Sequence, residues 1–224
     1  MSLQALFEET EAAAIGVADR ALCIYHARDT VHPMFFHPGM AAQRILRMRR
    51  GQTDRLVQVA NIGHGDTIVD ATAGLGTDTL VFAEAVGNTG QVVAIESEPI
   101  VAAVLAVAKQ FGSVDYPDFA RLLARVQPIC GAYETILSGM LENSVDVVYF
   151  DPMFEHQHSH SAGIQPLRAF ANQNPISKAA FEHACRVARR TVVVKERSFA
   201  ATMSRFRLER DAVGKRFSYG IWRK

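Results

Sequence analysis

The sequence predicts an α/β fold with a mostly parallel, seven-stranded sheet that ends in an antiparallel hairpin. Three observations support this prediction. Apolar runs of strand length alternate with helix-length amphipathic segments after residue 65, a glycine-rich turn follows the first run, and period-two alternation appears near the carboxyl end. Alternating strands and helices indicate a parallel sheet, because each parallel connection needs a crossover.

The predicted elements follow one another in a regular order. We place strands at 67–72, 91–96, 125–130, 145–150 and 190–195, and helices at 77–86, 99–111, 133–141 and 176–188. Pro99 suits the first turn of its helix, where the missing N–H would have no partner anyway. Residues 205–209 and 217–222 alternate with period two around residues 213–215, which predicts the closing hairpin.

The first 60 residues have a different character, and we predict a helical appendage there. Residues 41–50 and 54–61 favour helices on either side of Gly51, while two His-Pro pairs force extended or turn geometry. No repeat or low-complexity linker sets this part off. We therefore expect residues 1–60 to pack on a single domain formed by residues 61–224.

The composition is that of a globular protein with 224 residues, of which 49% are hydrophobic and 21% charged. The first ten residues carry acids rather than a basic stretch, and no apolar run approaches about 18 residues. We therefore expect no signal peptide, no membrane span and a cytoplasmic location. The three cysteines are widely spaced without a Cys-x-x-Cys pair, so we expect neither disulfides nor a metal site. We also expect a monomer.

The charges are unevenly distributed. Residues 186–224 hold twelve Lys or Arg against three acids, whereas residues 56–185 hold five basic and fourteen acidic side chains. A second basic cluster precedes the first predicted strand and consists of Arg44, Arg47, Arg49, Arg50 and Arg55. Such asymmetry indicates a surface for a polyanion, and a solvated helix face is the alternative for either cluster.

The first chemical motif is a glycine turn between a strand and a helix. Gly74 and Gly76 permit backbone angles and a close ligand approach that a β-carbon would block, and the helix that begins near Thr77 directs its free amides into the turn. About 20 residues after Asp70 the next strand begins, and it ends at Glu96, the position from which an acid holds a ribose diol. Either feature alone also fits a tight turn or a helix cap; together they predict a nucleotide-cofactor site.

The second motif follows the apolar run at 145–150, which is typical of a strand buried on both faces. It reads Asp151, Pro152, Met153 and Phe154. A carboxylate and an aromatic ring at a strand's carboxyl end can hold a planar amine, since the carboxylate accepts its hydrogens and the ring stacks on its face. We expect this loop to meet the glycine turn, because function in parallel sheets gathers at that edge.

Both motifs together resemble S-adenosyl-L-methionine (SAM)-dependent methyltransferases of the RsmJ type, which methylate the exocyclic N2 amine of a guanine in 16S, small-subunit ribosomal RNA. The resemblance runs from about Met40 to Trp222 and is carried by residues 69–76, 148–154 and 192–195. It implies a Rossmann-like class I methyltransferase fold, SAM as cofactor, and ribosomal RNA or the small ribosomal subunit as partner.

The resemblance also implies roles for individual residues. SAM contacts fall on Asp70, Ala71, Thr72, Gly74, Gly76, Thr77, Asp78, Glu96, Ser97, Ala132, Tyr133 and Asp151. Within this set Glu96 would hold the ribose hydroxyls, and Ala132 with Tyr133 would border the adenine. In the catalytic group, the Asp151 carboxylate and the Pro152 carbonyl would accept the two amine hydrogens while Phe154 stacks on the base.

Substrate RNA would be held by basic side chains. We place Arg44, Arg47, Arg50 and Lys195 in this group, although Lys195 can equally pair with an acid. The chain departs from the family after the acid loop, where residues 155–160 carry three alternating histidines in place of several lysines, which weakens the basic grip at neutral pH. No acid or cysteine cluster supports a metal there, and a polar loop is the simpler interpretation.

Other functions remain open at this point. The acceptor can be another amine, such as a different base or a protein glutamine, and a cofactor-binding protein without catalysis is a further alternative. A nicotinamide oxidoreductase is less consistent with the glycine turn, because Thr79 stands where a dinucleotide fingerprint has its third glycine.

Overall fold

The structure is a computed structural model that describes residues 14–18, 22–26, 29–111, 117–152, 175–197, 201–212 and 217–224, together with Ala5 and Glu8. Phe154 and the three-histidine loop lie outside the described residues, so their predicted roles stay predictions.

The appendage contains both predicted helices and a small sheet that was not predicted. Its elements are β1 (Ala14–Ala18), β2 (Leu22–His26), β3 (Asp29–Met34), α1 (Gly39–Arg49) and α2 (Arg55–Ala60). The three strands pair antiparallel in the order β1-β2-β3. The appendage is therefore helical in its second half, as predicted, and its strands are an addition to the prediction. Pro33 lies in β3, an edge strand, where a residue without an N–H is tolerated.

The remaining elements alternate as predicted. They are β4 (Thr67–Asp70), α3 (Thr77–Ala85), β5 (Gln91–Glu96), α4 (Pro99–Phe111), α5 (Pro117–Ala124), β6 (Val126–Cys130), α6 (Tyr133–Gly139), β7 (Val145–Phe150), α7 (Lys178–Val187), β8 (Ala188–Arg197), α8 (Ala201–Arg205), β9 (Glu209–Ala212) and β10 (Phe217–Arg223). The sheet order is β6-β5-β4-β7-β8-β10-β9; the first five strands are parallel, and β10 is antiparallel to β8 and β9. A seven-stranded, mostly parallel sheet with a closing hairpin is thus confirmed.

Two details differ from the prediction. Helix α5 was not predicted, and the first hairpin strand begins at Glu209 rather than at residue 205. The period-two pattern at 205–209 has another cause: Phe206 stacks on Phe181 of α7 with ring centroids 4.3 Å apart, and both Phe206 and Leu208 pack on a core cluster. The alternation there reflects side chains that pack on this core cluster, and the strand begins after them.

The sheet has apolar clusters on both faces. Helices α1 to α5 contribute to one cluster, with Ile45, Leu56 and Leu80 among its members, and helices α6 and α7 contribute to the other. Every residue of β7 is buried, as expected for a strand covered on both sides. Strand order reverses between β4 and β7, since β5 and β6 lie on one side and β8 on the other. Ligands of doubly wound sheets bind at such a switch point.

Candidate active site

The glycine turn after β4 has the backbone geometry that the sequence predicted. Gly74 and Gly76 have φ angles of 54° and 83°, in the left-handed region that favours glycine. A β-carbon on Gly76 would also lie 2.9 Å from Cδ1 of Leu105 in α4. The Ala73 amide donates to the Ile95 carbonyl at 2.9 Å, which fixes the turn against the end of β5. Exposed Thr77 then begins α3.

Glu96, at the end of β5, reaches over this turn. Its Oε2 accepts from the Gly74 amide at 2.8 Å, and its Oε1 accepts from the Glu98 amide at 2.9 Å and from the Ser97 hydroxyl at 3.5 Å. The side chain is only partly buried. The two short bonds use two of the roughly four lone-pair sites of the carboxylate, so Glu96 can accept from two neighbouring hydroxyls when the Ser97 hydroxyl, at 3.5 Å, is displaced. This donor and acceptor set fits a ribose diol beside the glycine turn.

Asp70, predicted to contact the cofactor, lies beneath the turn and is 1% exposed. Its Oδ2 accepts from the Thr79 hydroxyl at 2.6 Å and its Oδ1 from the Thr72 amide at 3.3 Å. Burial raises the pKa of Asp70 to about 7, although the Thr79 hydrogen bond acts in the opposite direction. The carboxyl group therefore shapes the turn from below, and buried Ala71 continues the β4–β7 pairing by donating to the Tyr149 carbonyl.

The acid loop meets the glycine turn, as expected for neighbouring parallel strands. The Asp151 amide donates to the Thr72 hydroxyl at 2.6 Å, which joins the end of β7 to the end of β4. The Asp151 side chain is 29% exposed, whereas Pro152 is buried. The carboxylate therefore lies at the edge of the switch-point crevice, where a ligand can reach it.

Lys195 of β8 pairs with acids. Its Nζ lies 2.6 Å from Oδ2 of Asp151 and 3.4 Å from Oδ2 of Asp78, and it stands 5.5 Å from the centroid of the Phe217 ring. Burial alone would lower the pKa of Lys195, but the negative charges of Asp78 and Asp151 outweigh burial and raise it. Lys195 is therefore a cation at neutral pH. Of its two predicted roles, contact with phosphate or pairing with an acid, the structure contains the pairing with an acid.

Asp78, near the start of α3, is the centre of the charged cluster. It accepts from Arg44 through Oδ1 and from the Tyr149 hydroxyl through Oδ2 at 2.7 Å. Burial alone would raise the pKa of Asp78, yet the charges of Lys195 and Arg44 lower it to about 2. Asp78 therefore stays ionised, and the carboxylate serves its protein neighbours as well as any ligand at the start of α3.

Arg44, predicted to hold RNA, is paired with two carboxylates in the structure. Its Nε and Nη2 each lie 2.8 Å from a carboxylate oxygen of Asp54, the residue that caps α2, and its Nη1 contacts Asp78. The side chain is 21% exposed. A guanidinium bound by carboxylates on two sides has few N–H donors left for a phosphate. Arg44 therefore joins the appendage to the site.

The other arginines of α1, with Arg50 that caps its carboxyl end, divide into two groups. Arg49 forms a two-pronged pair with Glu84 of α3, at 2.9 and 2.8 Å. Arg47 and Arg50 are exposed and, three residues apart, share one face of the helix. Two arginines thus hold α1 against α3, and two face solvent.

The basic carboxyl-terminal region does not form one surface at the site. Arg186 donates to the carbonyls of Met140, Leu137 and Ser138 at the end of α6. Arg189 and Arg190 lie at the start of β8, at the edge of the sheet opposite the glycine turn. Many of these basic side chains therefore bind helix-end carbonyls or acids elsewhere in the fold.

Ala132 and Tyr133, which follow β6 and were predicted to border the adenine, lie in different environments. Ala132 is only partly buried just before α6, but the ring of Tyr133 is 7% exposed and packs edge-on against Phe150, with centroids 5.4 Å apart. The ring of Tyr133 belongs to the core, and the place of Ala132 and Tyr133 beside the adenine stays a prediction. Sequence reasoning also missed Tyr149 and Tyr219, which look like ordinary apolar strand residues although Tyr149 donates to Asp78 and Tyr219 pairs opposite Lys195.

The described residues offer neither a metal-binding cluster nor a membrane-spanning helix. No group of three His, Cys, Asp or Glu side chains in that part of the chain is arranged to hold a metal ion. No helix among the same residues is both long and apolar enough to cross a membrane.

Comparison with known families places the chain among methyltransferases. The family model SAM_MT, which describes SAM-dependent methyltransferases, matches residues 6–224. Ribosomal RNA small subunit methyltransferase J of Tolumonas auensis is 32% identical over 175 residues, 76% of this chain and 68% of that protein. The protein of the same name from Thioalkalivibrio sulfidiphilus is 31% identical over 161 residues, 70% of this chain and 61% of that protein.

Another relative is named only as an uncharacterized protein. YpiP of Bacillus subtilis is 36% identical over 162 residues, 72% of this chain and 63% of YpiP. The matches therefore cover about three fifths of YpiP and of the Thioalkalivibrio protein.

Solved structures show the same fold. A SAM-dependent methyltransferase from Neisseria gonorrhoeae has a TM-score of 0.63 at 19% identity, with 95% of this chain and 84% of that chain covered. A SAM-dependent O-methyltransferase from Thermotoga maritima has a TM-score of 0.50 at 15% identity, with 82% and 71% covered. At these identities the likeness concerns architecture alone, and it confirms the predicted class I fold.

Proposed function

The chain belongs to the SAM-dependent methyltransferase family, and from this premise we propose that it methylates the exocyclic N2 amine of a guanine in small-subunit ribosomal RNA. The family membership gives the reaction class and the cofactor. The proposal adds the acceptor atom and the polymer. Its support is the acid loop at the switch point and the relatives named for the small ribosomal subunit.

One observation carries the proposal: the 2.6 Å hydrogen bond from the Asp151 amide to the Thr72 hydroxyl. It places the acid loop directly beside the glycine turn, so that an amine held by Asp151 would stand next to a cofactor held by the turn. Methyl transfer between two bound groups depends mainly on such alignment, because holding reactants in place removes a large entropic part of the barrier.

The residues around the turn fit SAM. Glu96 would accept the ribose hydroxyls, and the turn around Gly74 with the first amides of α3 would hold the methionine part. When bound, SAM supplies a methyl group on a positively charged sulfur that is already activated for transfer. The protein therefore has to orient the acceptor, exclude water and manage charge.

Asp151 and Pro152 would orient the acceptor. A guanine amine is a poor nucleophile because its lone pair is delocalised into the ring. If the Asp151 carboxylate and the Pro152 carbonyl accept its two hydrogens, the nitrogen turns its lone pair toward the methyl group. The Asp151 carboxylate would stabilise the positive charge that the nitrogen acquires on methylation and would take the released proton.

Charge at neutral pH favours this role. Burial, more than any other factor, raises the pKa of Asp151, and the nearby Asp78 adds to the effect, while Lys195 opposes it. A carboxylate whose proton affinity is raised in this way is better suited to receive a proton than an exposed one.

The polymer part of the proposal depends on the exposed face of α1. Arg47 and Arg50 face solvent on a helix that Arg44 and Arg49 hold against α3. Exposed guanidinium groups of this kind suit phosphate contacts. A base inside an RNA helix would have to be flipped out or unpaired before it reaches Asp151, at a cost of a few kcal/mol.

The decisive experiment is mass spectrometry of nucleosides from small-subunit ribosomal RNA of cells that lack this protein. We expect one N2-methylguanosine to disappear and to return when the wild-type gene, but not Asp151→Ala, is supplied. Loss of a different methylated nucleoside would move the acceptor to that base. Unchanged ribosomal nucleosides would contradict the proposal and direct attention to protein acceptors.

A further inference from the structure

We propose that Lys195 is a positioning residue that holds one oxygen of Asp151 and thereby aims the other at the acceptor amine. The inference rests on the proposed function, because that function assigns Asp151 to the amine. It concerns the charged cluster formed by Asp54, Arg44, Asp78, Lys195 and Asp151.

The geometry limits how the Asp151 carboxylate can turn. Lys195 Nζ contacts Oδ2 at 2.6 Å, while Oδ1 is not part of that pair. The terminal torsion of an aspartate is broad and would otherwise let the carboxylate rotate. When Oδ2 is fixed, Oδ1 points in one direction. The acceptor amine that binds Oδ1 is then held in the same orientation in every turnover.

Lys195 is itself held from several sides. Besides Asp151 it contacts Asp78 at 3.4 Å and lies over the Phe217 ring, and Tyr219 stands opposite it in the β8–β10 pairing. A lysine has a flexible stem, and it becomes a precise donor only when its neighbours restrict it. The closing hairpin therefore contributes to the site by restricting Lys195.

The cluster behind Lys195 extends to the appendage. Asp78 binds Arg44, and Arg44 binds Asp54, so charges alternate along the series. Three acids and two bases leave a net charge of −1, which suits a cofactor whose sulfur carries one positive charge. Arg44 is needed in this series to balance Asp78, so that Lys195 can be shared with Asp151.

The charges around Asp151 determine in which direction its pKa changes when Lys195 is replaced. Among the described residues, the groups that act on its charge are Lys195 of β8, Asp78 of α3, Arg44 of α1, Asp70 of β4 and Tyr149 of β7. Removing the positive charge of Lys195 leaves negative and neutral neighbours closest, so the neutral form of Asp151 becomes more favourable. Turnover that needs the carboxylate then fails at a higher pH than in the wild type.

The test compares Lys195→Met and Lys195→Arg with Lys178→Met, a matched control at an exposed surface pair with Glu182. In Lys195→Met we expect the acid limb of the kcat–pH profile to move up by about 1–3 pH units. This is the pKa change that a nearby opposite charge usually causes in a carboxyl group. The dissociation constant for SAM should change less than about threefold, and Lys195→Arg should recover most of the shift. Lys178→Met should match the wild type.

A second measurement does not depend on turnover. Carbon-13 NMR titration of the Asp151 carboxyl group, without substrate, should show a higher pKa in Lys195→Met than in the wild type. Lys195→Gln serves the same purpose if Lys195→Met does not fold. An unchanged titration and an unchanged acid limb would overturn the inference while leaving the proposed function intact. Conversely, if the wild type makes no N2-methylguanosine, the proposed function fails, and the titration still decides whether Lys195 controls Asp151.

Discussion

The two edges of the central sheet both carry acids paired with bases, but in different environments. At the carboxyl ends, Asp78 and Asp151 pair with Arg44 and Lys195, whose side chains are 21% and 25% exposed. At the amino ends, Asp66 and Asp146 pair with Arg189 and Arg190, which are 47% and 39% exposed. Both edges pair aspartates with basic side chains, and the exposure of the bases differs.

The difference lies in what the acids do for the backbone. Asp146 accepts from the Thr67 amide at 2.8 Å and Asp66 from the Gly63 amide at 2.7 Å, so both close the chain around the start of β4. At the other edge, the Asp151 carboxylate binds Lys195 through Oδ2 and is 29% exposed, so a ligand can reach it. Strand ends of a sheet can thus hold similar charges for stability at one edge and for chemistry at the other.

The largest expected effect separates the two edges directly. Asp151→Ala should lower kcat about 10²–10³-fold, the usual loss when one preorganised polar partner is removed from a reaction site. Asp146→Ala should keep kcat but lower the free energy of unfolding by about 1–3 kcal/mol, because the Thr67 amide loses its acceptor. Methyl-transfer rates and urea unfolding check both. If Asp146→Ala lost more turnover than Asp151→Ala, the assignment of the two edges would be wrong.

The second effect concerns the cofactor side of the carboxyl edge. Glu96→Ala should raise the dissociation constant for SAM about 10–100-fold, since hydrogen bonds to a charged group contribute about 1.5–3 kcal/mol. Isothermal titration calorimetry measures it directly. The matched control is Glu182→Ala, because Glu182 is 63% exposed at a surface pair. An unchanged constant in Glu96→Ala would remove its role at the ribose.

A third prediction sharpens the comparison through pH. The pKa of Asp70 is about 7 in the folded protein against an ordinary value of 3.8, so folding favours its neutral form. Its contribution to stability is complete below the ordinary value and is lost as pH rises through about 7. Asp70→Asn should remove this loss: relative to the variant, the wild type should become less stable between about pH 4 and about pH 7 in urea unfolding. Parallel curves for the two proteins would contradict a raised pKa.

The smallest effect concerns RNA affinity. Replacing Arg47 and Arg50 by Gln should make the dependence of RNA affinity on salt shallower, by about 0.7 in log–log slope for each phosphate that the variant no longer neutralises. Arg189→Gln, at the opposite edge of the sheet, is the matched control and should leave the slope unchanged. Fluorescence anisotropy over a salt series checks this. If the α1 variant kept the wild-type slope, Arg47 and Arg50 would be a solvated helix face.

Much of the architecture could be predicted because it depends on local patterns. Strands β5 and β7 and helix α4 begin and end at the predicted residues. The appendage sheet and the start of β9 were missed for a physical reason. A short strand depends on its partner strand, and the packing of Phe206 against Phe181 produced alternation where no strand lies.

The amino-acid sequence by itself determined the order of strands and helices, the glycine turn and the acids at the strand ends, since short-range periodicity and backbone preferences specify them. Tertiary structure alone decided that Arg44 faces inward, that Asp70 is buried and that Lys195 binds Asp151. Arg44 and Asp78 are 34 residues apart, Asp151 and Lys195 are 44 apart, and Asp78 and Lys195 are 117 apart. Electrostatic pairing over such separations depends on which strands lie side by side, and a local pattern contains no record of that arrangement.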